Sequence, residues 1–537
     1  MASEARHGLD VEAFRKHAHA AVDAIAQHML EIEADKHPVV PALQQGDIIA
    51  QMPTHAPEHG EPFETIAGSM FDLVRTNAQQ WQSGSFFGYF PANATPESMI
   101  ADMMVSAVNS PAFSWPCAPA CTELEVVAMD WCARLFGLSE SRFLSMSGRG
   151  GGVIQTSASD SCLVACIAAR SRAHALHPIL QPDTAKPQLV ILGTTQTHSL
   201  GAKAGLILDL PFVAIETRAE NDWALTGPEL EGALQRETAA GRTPFCLIAT
   251  LGSTSSGAID RLAELTAVAA RWPMLYIHVD AAWAGVFLAL PEARNEAGLS
   301  AINAPGKPIL HPQTGATIGE AGAVHSFCTN LHKQGLVTFD ASCFWMSDRR
   351  VLTEAMDLTP AFLRHAHTGK DVVPEYRNWQ LSLGRRFRSL KILFVLRSYG
   401  VEGFQAHLRR TIQLAEHFTW LLATDARFEL VTPPRWSLVV FKLRGDNDLN
   451  ERMYAALLTD RSTYLTATRI GETFCLRLAI GGVNTRQRHV EHAWAAIRQA
   501  ADATLRGHTS TNGVSELSTM PAVDDVPVAP EIAPVSV

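Results

Sequence analysis

From about residue 122 to residue 350 short apolar runs alternate with stretches of helical period, and this alternation limits the possible folds more than any other feature. Leu189 to Leu192, Phe212 to Ile215, Phe245 to Ala249, Leu275 to Val279 and Phe339 to Met346 read as short buried strands. Glu123 to Phe136 and Ser157 to His174 read as helices. Repeated strand–helix order leads to an α/β fold, a mostly parallel sheet with helices on both faces. Such a sheet binds its ligands at the carboxyl ends of its strands.

The flanking regions follow other patterns. Val11, Phe14, Ala18, Ala21, Val22, Ile25, Met29 and Ile32 recur at helical steps, which predicts an amphipathic helix ended by Pro38 and Pro41. Phe63 to Trp81 repeats the pattern. These helices are too thin for a core of their own and should pack on another domain or a second subunit. Residues 1–95 are therefore read as an N-terminal helical segment, and 96–395 as the large domain with a Gly/Pro-rich surface insertion at 300–322. Residues 396–505 read as a smaller α+β domain with strands at Trp436 to Leu443 and Phe474 to Ile480. The second alternates Phe474, Leu476, Leu478 and Ile480 with smaller or charged residues, as a half-buried strand does. Residues 506–537 have no period and read as a flexible tail.

Composition removes several classes of function. With 44 basic and 54 acidic residues and no basic block, nucleic acid is not an expected partner. No apolar run is long enough to span a bilayer, and the N-terminus lacks the apolar stretch of a signal peptide. Nine scattered cysteines without a CxxC pair suggest reduced core residues in the cytoplasm and no metal site.

Four elements of the alternating region suit one cofactor. Ser157-Ala158-Ser159 opens a helix after the turn Gly148-Arg-Gly-Gly-Gly152, and a helix N-terminus favours a phosphate. Asp280, in His278-Val-Asp-Ala-Ala282, ends a strand and could pair with a pyridinium nitrogen. His198 follows another strand and could stack on a flat ring. Lys333 closes His325-Ser-Phe-Cys-Thr-Asn-Leu-His-Lys333, and a buried lysine is a Schiff-base nucleophile. Each is weak alone: Asp280 could be a cap and His198 a core histidine. Together they are what pyridoxal 5′-phosphate (PLP) requires. The glycine turn lacks the third glycine of a dinucleotide site, so a nicotinamide is the poorer reading. Tyr89, Phe90 and Trp115 lie beside Gly and Pro on loops, where aromatics line pockets, while Phe86 and Phe87 read as core.

From about Phe14 to Leu505 the chain resembles the aromatic-L-amino-acid decarboxylase family, PLP enzymes of fold type I. Matching segments are Phe86-Phe-Gly-Tyr-Phe-Pro91, Pro119-Ala-Cys-Thr-Glu-Leu-Glu125, Gly150-Gly-Gly-Val-Ile-Gln155, His278-Val-Asp-Ala-Ala282 and Trp379 to Lys391. The family's Asn-Pro-His-Lys stands here as Asn330-Leu-His-Lys333. The resemblance implies that Lys333 carries PLP, that Asp280 pairs with its ring nitrogen, and that His198 and Ala282 sandwich the ring. It assigns the phosphate to Ser157, Ala158, Ser159 and Asn330, with Thr254 and His332 nearby. Trp81, Tyr89, Phe90 and Phe113 would line a pocket for an aromatic side chain. A cytoplasmic homodimer with sites at the subunit interface is implied as well.

One departure bears on the product. In the amine-forming members of the family, a loop tyrosine protonates the carbanion left at Cα by loss of CO2. The matching position here is Phe362, which has no proton to give. In members with this replacement the carbanion tends to meet O2 and yields an aromatic aldehyde, ammonia and peroxide. The alternative is that His365, His367 or Tyr376 supplies the proton and the product is the amine. Ser83-Gly84 in place of the family's His-Pro, Gln82, Ala92 and Gly384 leave the preferred substrate open. Two rivals are weaker. An acidic substrate would want a pocket cation, which the aromatic cluster does not offer. A non-catalytic scaffold would not need Lys333, Asp280 and His198 intact.

Overall fold

The computed structural model describes residues 10–182, 186–359, 363–364 and 374–510. Its centre is a seven-stranded sheet made of β1 (Gly151–Gln155), β2 (Gln188–Thr194), β3 (Phe212–Ile215), β4 (Arg242–Thr250), β5 (Tyr276–Asp280), β8 (Val324–Asn330) and β9 (Ser342–Met346). The spatial order is β1-β9-β8-β5-β4-β2-β3. The neighbours from β3 to β8 pair in parallel. β9 runs antiparallel to both β8 and β1, so β1 points the same way as the parallel strands. The sheet is thus mostly parallel, with β9 the single reversed strand. The carboxyl ends of β1, β2, β4, β5 and β8 all open on one edge of the sheet.

Every residue of β1, β5, β8 and β9 is buried. That fits strands covered on both faces, which need apolar runs rather than alternation. β1 escapes notice in the sequence because glycines open it. These glycines and the preceding Gly150 serve close packing: a Cβ on Gly150 would collide with the carbonyls of Arg142 and Met346, and one on Gly152 with Met129 and Trp345. The reversed strand is shorter than its apolar run suggests, because Phe339 lies outside it and is 68% exposed. Helix Pro119–Leu135 begins four residues before the expected start, with Pro119 at its first turn. Helix Ala158–Leu180 is capped by Ser157, whose side chain accepts from Asp160 N.

The segment at 300–322 forms a hairpin of β6 (Lys307–Leu310) and β7 (Thr317–Ala321) after the short helix Leu299–Asn303. Helix Ser389–Ala423 leads out of the large sheet and breaks its helical geometry at Gly400 (φ 62°). Beyond it, β10 (Phe428–Leu430), β11 (Leu438–Leu443), β12 (Thr466–Ile470) and β13 (Thr473–Ala479) form a second sheet in the order β10-β11-β13-β12. The final helix is Gln487–Ser510. β13 is not half-buried as its alternation suggests. From Cys475 onward both faces are covered, and the charged Arg477 is only 4% exposed.

The N-terminal helix Val11–Glu33 stops before the two prolines, and helix Phe63–Asn77 stops short of Trp81. Only Ile32 of the first is buried and no residue of the second. Their apolar faces stay open, with Phe14 64% and Val74 60% exposed. No helix among the described residues is long and apolar enough to cross a membrane.

Candidate active site

Lys333 follows the end of β8 through a turn in which its N–H donates to Asn330 O at 3.2 Å. Asn93 Nδ2 donates to Lys333 O at 3.1 Å and to Gly481 O at 3.0 Å, which ties the lysine backbone to the loop after β13. Burial lowers the Lys333 amine to about 8. Asp280 and Cys328 oppose the shift and Arg477 adds to it. A useful fraction of neutral, nucleophilic amine follows at neutral pH.

Asp280 is the last residue of β5 and is 4% exposed. Its Oδ1 accepts from Ala282 N at 3.1 Å and from Cys328 Sγ at 3.8 Å. Burial raises its pKa, while Lys333 and His198 counteract. His198 stands open to solvent, with Nδ1 accepting from Leu200 N at 3.2 Å. The protein packed around it lowers its pKa, Asp280 opposes and Lys333 assists.

One cavity gathers Ser157, Ala158, Ser159, His198, Thr254, Asp280, Ala282, Asn330 and Lys333, with Leu200, Thr250, Gly252 and Trp283 completing the wall. Asn330 N donates to Ala282 O at 2.8 Å. The buried Asn330 Oδ1 and Thr250 Oγ1 have no hydrogen-bond partner, so the wall carries polar atoms that await a ligand. A helix N-terminus, a buried carboxylate, an imidazole and an amine on one wall fit PLP in donor type and charge. His332 is not part of that wall. Its Nδ1 accepts from Ala341 N at 2.8 Å, its ring lies 4.5 Å from that of Phe339, and burial takes it to about 3, hence neutral.

The aromatic residues divide into two groups. Phe90 is 7% exposed and stacks on Trp283 with centroids 4.8 Å apart. Lys333 Nζ lies 5.1 Å from the centre of the Phe90 ring. Tyr89 is 50% exposed and stacks on Trp81 at 5.6 Å, and its hydroxyl accepts from Tyr464 Oη at 3.4 Å. Phe113 is half-buried and, like Trp81, Tyr89 and Phe90, is not on the cavity wall, and Trp115 Nε1 donates to Glu123 at 2.8 Å. Phe362, His365 and His367 lie outside the described residues. Tyr376 is buried with its hydroxyl unpartnered, and it is not on the cavity wall. Sequence reasoning missed Arg477, whose Cζ sits 5.0 Å from the Phe90 ring centre, so a cation does stand beside the aromatic cluster. Thr466, opposite Arg477 in the β12–β13 pair, was also missed.

Residues 46–444 match the pyridoxal-dependent decarboxylase conserved domain. The chain is 36% identical to the aromatic-L-amino-acid decarboxylase of Rattus norvegicus over 93% of its own length and 99% of the relative's. It is 35% identical to the 3,4-dihydroxyphenylacetaldehyde synthase of Drosophila melanogaster, over 91% and 92%. The structure superimposes on that of Oryza sativa TDC with PLP and tryptamine at a TM-score of 0.84, with 30% identity, over 93% of this chain and 99% of the other. The chain therefore belongs to the pyridoxal-dependent, aromatic amino acid decarboxylase family, and its cofactor is pyridoxal 5′-phosphate.

Proposed function

We propose that the protein decarboxylates aromatic L-amino acids with PLP held on Lys333, and that Phe362 diverts the product to an aromatic aldehyde. The observation that carries the first part is the convergence of Lys333, Asp280, His198 and the capped end of helix Ala158–Leu180 on one cavity. Bound there, PLP supplies an electron sink for the charge left at Cα when CO2 departs. Lys333, with its lowered pKa, offers the amine that joins the cofactor carbonyl. Asp280, on which no arginine acts among the described residues, would hold the proton on the ring nitrogen. His198 and Ala282 would flank the ring, and Ser157, Ala158, Ser159 and Asn330 would take the phosphate beside Thr254. Trp81, Tyr89 and Phe90 hold the substrate ring. Phe113 is assigned to the same pocket by the family resemblance alone. The exposed apolar faces of Val11–Glu33 and Phe63–Asn77 support a homodimer. Nine scattered cysteines without a CxxC pair favour a cytoplasmic location.

The second part rests on residue type at position 362. A phenyl ring cannot return a proton to Cα, so O2 takes the electrons. The balanced reaction is amino acid + O2 + H2O → aldehyde + CO2 + NH3 + H2O2. The likeness to an aldehyde synthase supports this branch. The other reading is amine release with a proton from His365 or His367. Tyr376 is a poor candidate because it is not on the cavity wall. The test is one assay of CO2, O2, peroxide, aldehyde and amine with phenylalanine, tyrosine and tryptophan. Equal CO2, aldehyde and peroxide support the aldehyde branch, and amine without O2 uptake supports the other.

A further inference from the structure

Arg477 lies in the middle of β13, and 96% of it is covered. Among the described residues no carboxylate pairs with it. Its NH1 donates to Thr466 Oγ1 at 3.2 Å and its NH2 to Tyr89 O at 3.4 Å. Its Nε is buried without a partner. The face of Phe90 covers the guanidinium at 5.0 Å, and the same ring lies 5.1 Å from Lys333 Nζ. A buried arginine without a counter-ion is costly, and surroundings of this kind persist where the charge has a task.

Two observations indicate that task. Tyr89 has φ +50°, a left-handed conformation that an aromatic residue adopts only when its surroundings hold it. The holders are Arg477 on its carbonyl and Thr466, whose Oγ1 accepts from Tyr89 N at 3.3 Å. The second observation is electrostatic: two cations lie over one aromatic ring, Lys333 Nζ at 5.1 Å and Arg477 Cζ at 5.0 Å from the centre of Phe90, and the Arg477 charge acts on Lys333.

We infer that Arg477 is a positioning residue of the site, which fixes Tyr89 and Phe90 as the substrate wall and imposes a positive field on the Lys333 amine. This rests on Lys333 being the cofactor lysine. The small domain thereby controls both the shape of the aromatic pocket and the protonation of the group that joins the cofactor. The other charged and titratable groups facing Lys333 are Asp280 and Cys328, which favour its charged form, and His198 and His332, which repel it when protonated. Among these groups Arg477 is the cation that keeps its charge through neutral pH, although burial lowers it to about 10.

The test is a pH titration of the visible absorption band of the PLP-loaded enzyme, with KM and kcat measured alongside. Arg477→Gln should raise the titration midpoint by about one pH unit, since a repelling charge is gone. It should also raise KM for an aromatic substrate about tenfold, more than it lowers kcat. Arg477→Lys should restore the midpoint while leaving KM high, because an ammonium cannot reach both Tyr89 O and Thr466. Thr466→Val should raise KM and leave the midpoint in place. If Arg477→Gln folds and loads with PLP at an unchanged midpoint, the inference is overturned. If Arg477→Gln does not fold, Thr466→Val and Arg477→Lys decide. An unchanged KM in both overturns the inference, and a raised KM in both at a wild-type midpoint upholds it. A cofactor bound to some other lysine would show separately, as a borohydride-fixed adduct away from residue 333.

Discussion

Arg385 places NH2 at 2.6 Å and NH1 at 3.0 Å from the two oxygens of Glu125, and neither side chain is more than 1% exposed. The same Glu125 accepts from Ile154 N at 2.9 Å, and Arg385 NH2 donates to Ile154 O at 3.3 Å. The pair thus clamps β1, the strand that leads into the phosphate end of the cavity. Both residues belong to family-matching segments, so those segments encode the support of the site rather than its chemistry.

Glu125→Gln leaves a buried guanidinium without its counter-charge. Loss of one partner of such a pair costs about 3–5 kcal/mol. Chemical unfolding of the apoprotein should show a large drop in midpoint. Replacing both residues by apolar ones of similar size should recover much of it. An unchanged midpoint for Glu125→Gln would mean that the clamp carries no stability.

Asp280→Asn keeps the shape of the carboxylate and removes its charge. Turnover at saturating PLP should fall by a factor of roughly 10² to 10³, the cost of losing a charge-assisted contact at a reacting centre. Circular dichroism should stay as in the wild type. Turnover within twofold of wild type would remove Asp280 from its assigned place.

The Lys333 amine attacks a carbonyl only when neutral, and burial lowers it to about 8. Below that pH the amine is protonated, so cofactor capture by the apoprotein should accelerate about tenfold per pH unit. It should level off above about 8. Stopped-flow absorbance measures this directly. Acceleration that continues towards 10.5, the ordinary lysine value, would show an unperturbed amine.

Phe362→Tyr adds one hydroxyl to nearly the same shape. O2 uptake per CO2 should fall severalfold and amine should appear, with CO2 release retained. An unchanged aldehyde-to-amine ratio would show that position 362 does not choose the product.

What was legible in the sequence follows from periodicity. The buried parallel strands announce themselves as apolar runs, and Asp280 and His198 stand at the end or just beyond the strands those runs define, whereas Ser157 is marked by the glycine turn and the helix it opens. β1 was hidden because Gly151 and Gly152 carry no apolar signal, although close packing against Trp379 and Trp345 respectively requires them. The direction of β9 was hidden because a reversed strand buried on both faces has the same composition as a parallel one. Arg477 was read as the polar face of a half-buried strand. Alternation within one strand cannot show that a second domain covers that face, since the covering residue, Phe90, lies 387 positions away. The same distance concealed the role of Thr466.

The central claim is that Lys333 carries the PLP used to decarboxylate aromatic amino acids. Borohydride reduction of the loaded enzyme, followed by peptide mapping, tests it most directly. A single pyridoxyl-phosphate adduct is expected on the peptide that contains Lys333, with decarboxylation abolished in the reduced protein. An adduct on another lysine, or full activity after Lys333 has been modified, would contradict it.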